Sequence, residues 1–167
     1  MQTQKQSSHP IVSQTANNTT LWIGHSPADP TDHFAGQIFK SPVEGLINNI
    51  QVYSTAVNRP GEILMTLREF DSHKKLWGTT IGSTSRFLQL GENKRWIRFG
   101  LDAVALQKDV SYGFILQTND ALIGIGEAAT ATKTPFDFGY EWNGDSNNIK
   151  GHFLTYFSLA FKVEVIA

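Results

Sequence analysis

Residues 153–167 read FLTYFSLAFKVEVIA, and no other stretch constrains the fold as tightly. Phe157, Leu159, Phe161, Val163 and Val165 fall on one side of an extended chain, with Ser158, Lys162 and Glu164 on the other. Side chains alternate across a β-strand, so a period of two held this long sets the register and buries one face only. Such a strand needs further strands beside it and an apolar layer over it.

The rest of the chain supplies them. TLWIG (20–24) is short and apolar, and AGQIFKSP (35–42) stops at a proline, as an edge or terminating strand often does. In GLINNIQVYST, Leu46, Ile50 and Val52 share one face and Asn49 and Gln51 the other. EILMTLREF sets Ile63, Met65 and Leu67 against Thr66 and Arg68, while LWGTTIG and ALIGIGEA add shorter strands. KRWIRFGLDAVALQKDVSYGFILQT (94–118) writes the pattern twice, around Trp96–Phe99 and again through Val110, Tyr112, Phe114 and Leu116. LDAVALQKD between the copies is too short for a real helix, so the two are expected as neighbouring strands joined by a compact turn. No window of helical length shows 3.6-residue periodicity, and Gly45 with the paired Asn residues opposes a helix over SPVEGLINNI. The pattern predicts an all-β chain, an antiparallel sandwich or barrel.

At 167 residues the chain forms one domain, large enough to bury about 70% of its unfolded surface without staples. It has no cysteine, which removes disulfides, thiolate metal sites and a cysteine nucleophile together. Fourteen basic residues against fifteen acidic ones give a net charge of -1, with none of the clustered cationic excess that nucleic-acid binding requires. No apolar run is long enough to span a bilayer. MQTQKQSSHPIVSQTANNTT has no continuous apolar centre of the secretory kind, so the expected compartment is the cytoplasm if the chain is native. It is extracellular or periplasmic if a leader has been removed. Gln, Ser, Thr and Asn dominate this segment, so residues 1–18 are expected as a flexible tail and 19–167 as the β-sandwich domain.

An ordered set of short motifs carries a resemblance. Gln37, Phe39 and Pro42 are followed by Ile50, Val52 and Tyr53, then Pro60 and Gly61, then Trp96 and Phe99. Leu106, Tyr112 and Leu116 come next, and Leu159, Ala160, Phe161 and Val163 close the series. Together, over about 130 residues from Ala35 to Val165, these positions resemble a type of bacterial jelly-roll domain, akin to carbohydrate-binding modules and galactose-binding-like sandwiches. The resemblance implies an antiparallel β-sandwich of jelly-roll type and a non-catalytic binding role. It transfers no ligand residues, because the matching positions are core and turn positions. No cofactor is expected; a structural calcium, as in some such sandwiches with Asp145 contributing, is the one addition it leaves open.

Catalytic constellations are missing from the sequence. There is no Gly-x-Ser-x-Gly elbow, and five scattered histidines form no triad spacing. His25, Asp29, Asp32 and His33 lie within nine positions, but with two prolines between them they read as a turn-rich loop rather than a metal signature. Glu127, Asp137, Glu141 and Asp145 are the acids a glycosidase would draw on, and nothing in the pattern singles out a pair. The chain is therefore expected not to be an enzyme.

PFDFGYEWNGDSNN (135–148) sets aromatic rings among Asp, Glu, Asn and Gly. Sugars present flat C–H faces to rings and hydroxyls to amides and carboxylates, so the stretch suits them. The candidate site is Tyr140 and Trp142 as stacking platforms, Asn143 and Asp145 as hydrogen-bonding groups, and Trp77 as a second platform. The competing reading places residues 136, 138, 140 and 142, spaced by two, on the buried face of a strand. The expected partner is a glycan or another protein chain, with no nucleic acid and no membrane span. In the second case the chain is a structural or assembly protein that buries sheet edges or exposed aromatics against its partner.

Overall fold

The computed structural model describes residues 7–102 and 104–166. Fourteen strands occur there: β1 (Ser8–Gln14), β2 (Thr19–Ser26), β3 (Asp29–Lys40), β4 (Gly45–Arg59), β5 (Gly61–Asp71), β6 (Leu76–Leu88) and β7 (Arg95–Gly100). They continue with β8 (Ala105–Leu106), β9 (Ser111–Gln117), β10 (Leu122–Ala129), β11 (Gly139–Asp145), β12 (Asn148–Leu154), β13 (Phe157–Leu159) and β14 (Phe161–Ile166). Among the described residues no helix is long and apolar enough to cross a membrane.

All strand pairs are antiparallel. They follow one hydrogen-bonded path, β1-β14-β4-β10-β2-β3-β9-β5-β6, with β7 and β8 on β4, β11 on β3, β12 on β11 and β13 on β10. The path curls until its two ends face each other, which makes an antiparallel β-sandwich. Phe161 on β14 meets Phe39 of β3 at 6.3 Å and Phe114 of β9 at 5.9 Å between ring centroids, so the two layers touch through aromatic rings. Ile50, Val52, Ile97, Phe99, Met65, Leu67 and Ile123 complete the same buried cluster. These are the inward positions of the alternations, and the register follows from them: Val163 sits opposite Ile50 and Phe161 opposite Val52.

Three features differ from the sequence reading. The tail expected over residues 1–18 contains β1, which pairs along β14 with Val12 opposite Val163 and Gln14 opposite Phe161. Its composition is polar, but sheet pairing runs through backbone N–H and C=O groups, and Val12 and Gln14 are the side chains it buries. Residues 1–6 lie outside the described residues. The two alternations in 94–118 are not hydrogen-bonded neighbours: β7 pairs with β4, while β9 lies between β3 and β5. Their connector crosses from one layer to the other and leaves β8 on the way. The C-terminal alternation is also broken at Ala160, whose N–H donates to the Gly126 carbonyl and whose carbonyl accepts from Tyr53. Before that break β13 pairs with β10; beyond it β14 pairs with β4 and β1. Residues 126–151 form the end of β10, all of β11 and the start of β12, an extension of the layer beyond β3.

Phe161 is fully buried and bridges the layers, whereas Phe157 is only half-buried. Phe161→Ala should lower the unfolding free energy by about 3–5 kcal/mol, and Phe157→Ala by less than half as much, in urea denaturation followed by tryptophan fluorescence.

Candidate functional site

β11 runs along β3 with Trp142 opposite Gly36 and Glu141 opposite Gln37, so the candidate residues divide between its two faces. Tyr140 and Trp142 point away from the main core into a second apolar cluster with Ile38, Phe70 and Ile115, flanked by Trp77 and Phe153. Trp142 is 2% exposed. Its ring stands edge-on to Trp77 at 5.5 Å, and its Nε1 donates to the Lys150 carbonyl at 3.0 Å. Glycines make room for the indole: a Cβ on Gly36, Gly144 or Gly151 would come within 2.9 Å of it, and Gly151 also takes a positive φ of 63°. Trp142 is therefore a core residue, and the stacking role expected of it is corrected. Its face is covered by protein.

Trp77 packs edge-on against Phe70 at 5.3 Å and over Gly113, and its buried Nε1 has no partner among the described residues. Tyr140 lies against Phe70 and Phe153 with the Lys75 ammonium 5.5 Å from its ring centre, and burial raises its hydroxyl pKa. Both rings hold the β11–β12 hairpin to the sheet. Neither lines a cleft with Asn143 and Asp145.

Asn143 and Asp145 do line a cleft, and the ring beside them is Trp22. Trp22 lies on β2 between Leu21 and Ile23, which pack inward, and is 42% exposed. It borders two hollows. The smaller, about 140 Å³, holds Asn143, Asp145, Asn148, His33 and His152. The larger, about 310 Å³, holds His25, Ser26, Asp29, His33 and Asn58. The β2–β3 hairpin forms the wall between them, with Gly24 opposite His33 and Ser26 opposite Asp29. Here the His25–His33 segment becomes ordered structure: His25 Nδ1 lies 2.6 Å from Asp32 Oδ1 and His33 Nε2 lies 2.8 Å from Asp29 Oδ2. The hydrogen bonds from His33 and from the Thr31 N–H hold the Asp29 carboxyl below its usual pKa. Asp145 Oδ1 accepts the N–H groups of Asn147 and Asn148, each at 2.8 Å, and thereby shapes the β11–β12 turn.

Glu141 occupies the opposite face of β11 and has no exposed surface. Among the described residues neither carboxyl oxygen makes a well-formed hydrogen bond, and the nearest acid is Glu127. Burial, reinforced by the neighbouring Glu127 carboxyl, pushes its pKa up to about 10. Two acids that the sequence left undistinguished thus come together at the inner ends of β10 and β11. A raised pKa is the mark of a general acid, but Glu141 is sealed in the sandwich where no substrate reaches it. Asp137 lines a separate hollow beside Lys40 and Asp109.

An all-β domain with a polar cleft around an exposed tryptophan is the class that fold and site define. No protein-family model matches the chain, and no curated protein matches it. Among solved structures it is similar to the clostridial cysteine protease Cwp84 after propeptide cleavage, at 7% identity and a TM-score of 0.53, over 97% of this chain and 40% of that one. It is also similar to the structure of the cysteine protease and lectin-like domains of Cwp84, a surface layer associated protein of Clostridium difficile. There the identity is 8% and the TM-score 0.48, over 82% of this chain and 33% of that one. The chain spans less than half the length of either, and at 7% identity the first likeness concerns the fold alone.

Trp22, His152 and Asn58 escaped the sequence reading, and His33 was read there only as part of a turn-rich loop. One signal was available: in TLWIGHS, the alternation that turns Leu21 and Ile23 inward turns Trp22 outward. Two outcomes test the site's construction. Trp142→Ala should cost about 3–5 kcal/mol of stability, seen as a large drop in Tm. Glu141 should make stability fall with rising pH. Its contribution is fully present below the unfolded value of 4.5 and is lost as pH climbs through the folded value of about 10, because the unfolded chain releases a proton the folded chain keeps. The slope reaches about 1.4 kcal/mol per pH unit. Urea denaturation across that window should show it in the native chain and find it removed in Glu141→Gln.

Proposed function

We propose that this chain is a non-catalytic binding module whose ligand is a carbohydrate, held in the cleft around Trp22. The observation that carries this reading is an exposed indole bordered by side-chain amides, carboxylates and imidazoles. A sugar ring lays its C–H face on an indole and directs its hydroxyls to such groups, which both accept and donate. Of the five residues first expected at the site, Asn143 and Asp145 remain as hydrogen-bonding groups, and Trp22 takes the stacking role. The jelly-roll connectivity implied by the motif resemblance belongs to this same reading.

Catalysis is disfavoured on chemical grounds. The most perturbed acid, Glu141, is inaccessible, and the cleft carboxylates are engaged in the β2–β3 hairpin and the β11–β12 turn. These 167 residues contain no cysteine, so the chemistry named for the cysteine protease neighbour has no nucleophile here. A second reading, assembly with another chain, draws on β6, a terminal strand of the sheet path on which Leu76 and Phe87 are more than half exposed.

Trp22→Ala should weaken retardation on a polysaccharide affinity gel by about tenfold or more, as expected for losing a stacking contact of 1–2 kcal/mol, while leaving Tm nearly unchanged. Unaltered retardation would remove Trp22 from the site. A tight oligomer in light scattering, with no glycan retarding the chain, would favour assembly.

A further inference from the structure

The cleft around Trp22 carries carboxyl groups, and the basic side chains among its lining residues are the imidazoles of His25, His33 and His152. Asp29 and Asp145 line it, and neither lysine nor arginine does. Asp32 stands behind them against His25. Asp29 is engaged on both oxygens, one with the Thr31 N–H and the other with His33. Asp145 uses Oδ1 for the two backbone N–H groups of its turn, and its Oδ2 has no partner among the described residues. The remaining polar lining is the amides of Asn58, Asn143 and Asn148, the Ser26 hydroxyl and the imidazoles of His25, His33 and His152, with His33 held against Asp29 and His25 against Asp32.

Two kinds of charged sugar would fare differently here. A ligand carboxylate or sulfate would enter beside like charge, give up its water and find no ammonium or guanidinium to replace it. A ligand ammonium would meet the Asp145 carboxylate and the indole face of Trp22, and both attract cations. Resting on the glycan-binding reading above, we propose that this cleft selects amine-bearing sugars, of the kind found in a glucosamine polymer, over neutral sugars, and rejects sugars that carry carboxylates. Stacking on Trp22 is common to all three classes; the ligand's charge sets their order.

The test uses the intact chain and three oligosaccharides of equal length: deacetylated glucosamine, N-acetylglucosamine and galacturonate. Binding is read from tryptophan fluorescence at low and at high salt, below the pH at which the sugar amine deprotonates. The glucosamine oligomer should bind about three- to tenfold more tightly than its acetylated form at low salt. That ratio should shrink toward one as salt screens the partly exposed carboxylates. Asp145→Asn, which keeps the Oδ1 acceptor of the turn, should also shrink it, with a melt confirming that the variant is folded. Galacturonate should bind least. Equal binding of galacturonate and glucosamine oligomers, or an amine preference that neither salt nor Asp145→Asn reduces, would overturn the selectivity and leave glycan binding standing. Failure of all three to bind the folded native chain would overturn both.

Discussion

Phe161 is the contact on which the sandwich depends. Its ring lies within 6.3 Å of those of Phe39, Phe114 and Phe138, so one side chain of β14 touches β3, β9 and the segment leading into β11. The two layers belong to a single curled sheet, whose hydrogen-bonded ladder runs from one to the other through the bend at β10 and β2. Away from the bend, apolar burial holds them, and the aromatic rings give that burial its area and its spacing. Gln37 ties the same region together: its Oε1 accepts the Leu159 N–H at 2.9 Å and its Nε2 donates to the Ile38 carbonyl. A buried polar side chain satisfied in this way fixes the position of β13 over β3, which a purely apolar contact would leave free to slide.

With the layers fixed, two hairpins set the cleft. β2–β3 carries Trp22 and the His–Asp pairs; β11–β12 carries Asn143, Asp145 and Asn148. Both hairpins are pinned to β3, the first at Gly24–His33 and the second from Gly139–Phe39 through Asp145–His33. His33 therefore belongs to both attachments, and a hydrogen bond from Asn147 to Thr31 closes the hairpins against each other. The buried tryptophan supports the exposed one indirectly. Trp142, seated among Gly36, Gly144 and Gly151, holds the β11–β12 hairpin flat on the sheet, and that places Asn143 and Asp145 beside Trp22.

The layered architecture was legible because its cause is periodic. Alternations such as Ile63-Met65-Leu67 and Tyr112-Phe114-Leu116 report which face is buried, and the structure buries those faces. Pairing was less legible, because alternation does not say which strand lies alongside: β7 and β9, adjacent in sequence, belong to different layers. β1 was hidden for a related reason, since a polar strand is recruited by the open edge of β14 rather than by its own side chains. At the candidate site, local chemistry pointed to Asn143 and Asp145, which line a hollow beside Trp22, whereas Trp142 is buried and Trp22 was not singled out. A tryptophan among glycines and asparagines looks like a loop platform in one dimension. In three dimensions the glycines are the sockets that let the indole sink.

Glu141 and Asp145 show why composition alone misreads this segment. Four residues apart on one strand, the two acids end in opposite states. Asp145 faces water and the N–H groups of its own turn, each of which favours the carboxylate. Glu141 faces the interior beside the Glu127 carboxyl, so burial and the neighbouring acid both favour its keeping a proton over carrying a buried charge. Both acids fall on the same face of β11, so position along the strand decides which is which: Glu141 lies mid-strand opposite Gln37, and Asp145 lies at the strand end opposite His33, at the turn into β12. A one-residue slip of β11 would bring Glu141 to the outer face and drive Trp142 inward against β13. The buried acid and the cradled indole thus oppose the same error: each fits only one face, and together they hold the cleft carboxylate where a ligand can meet it.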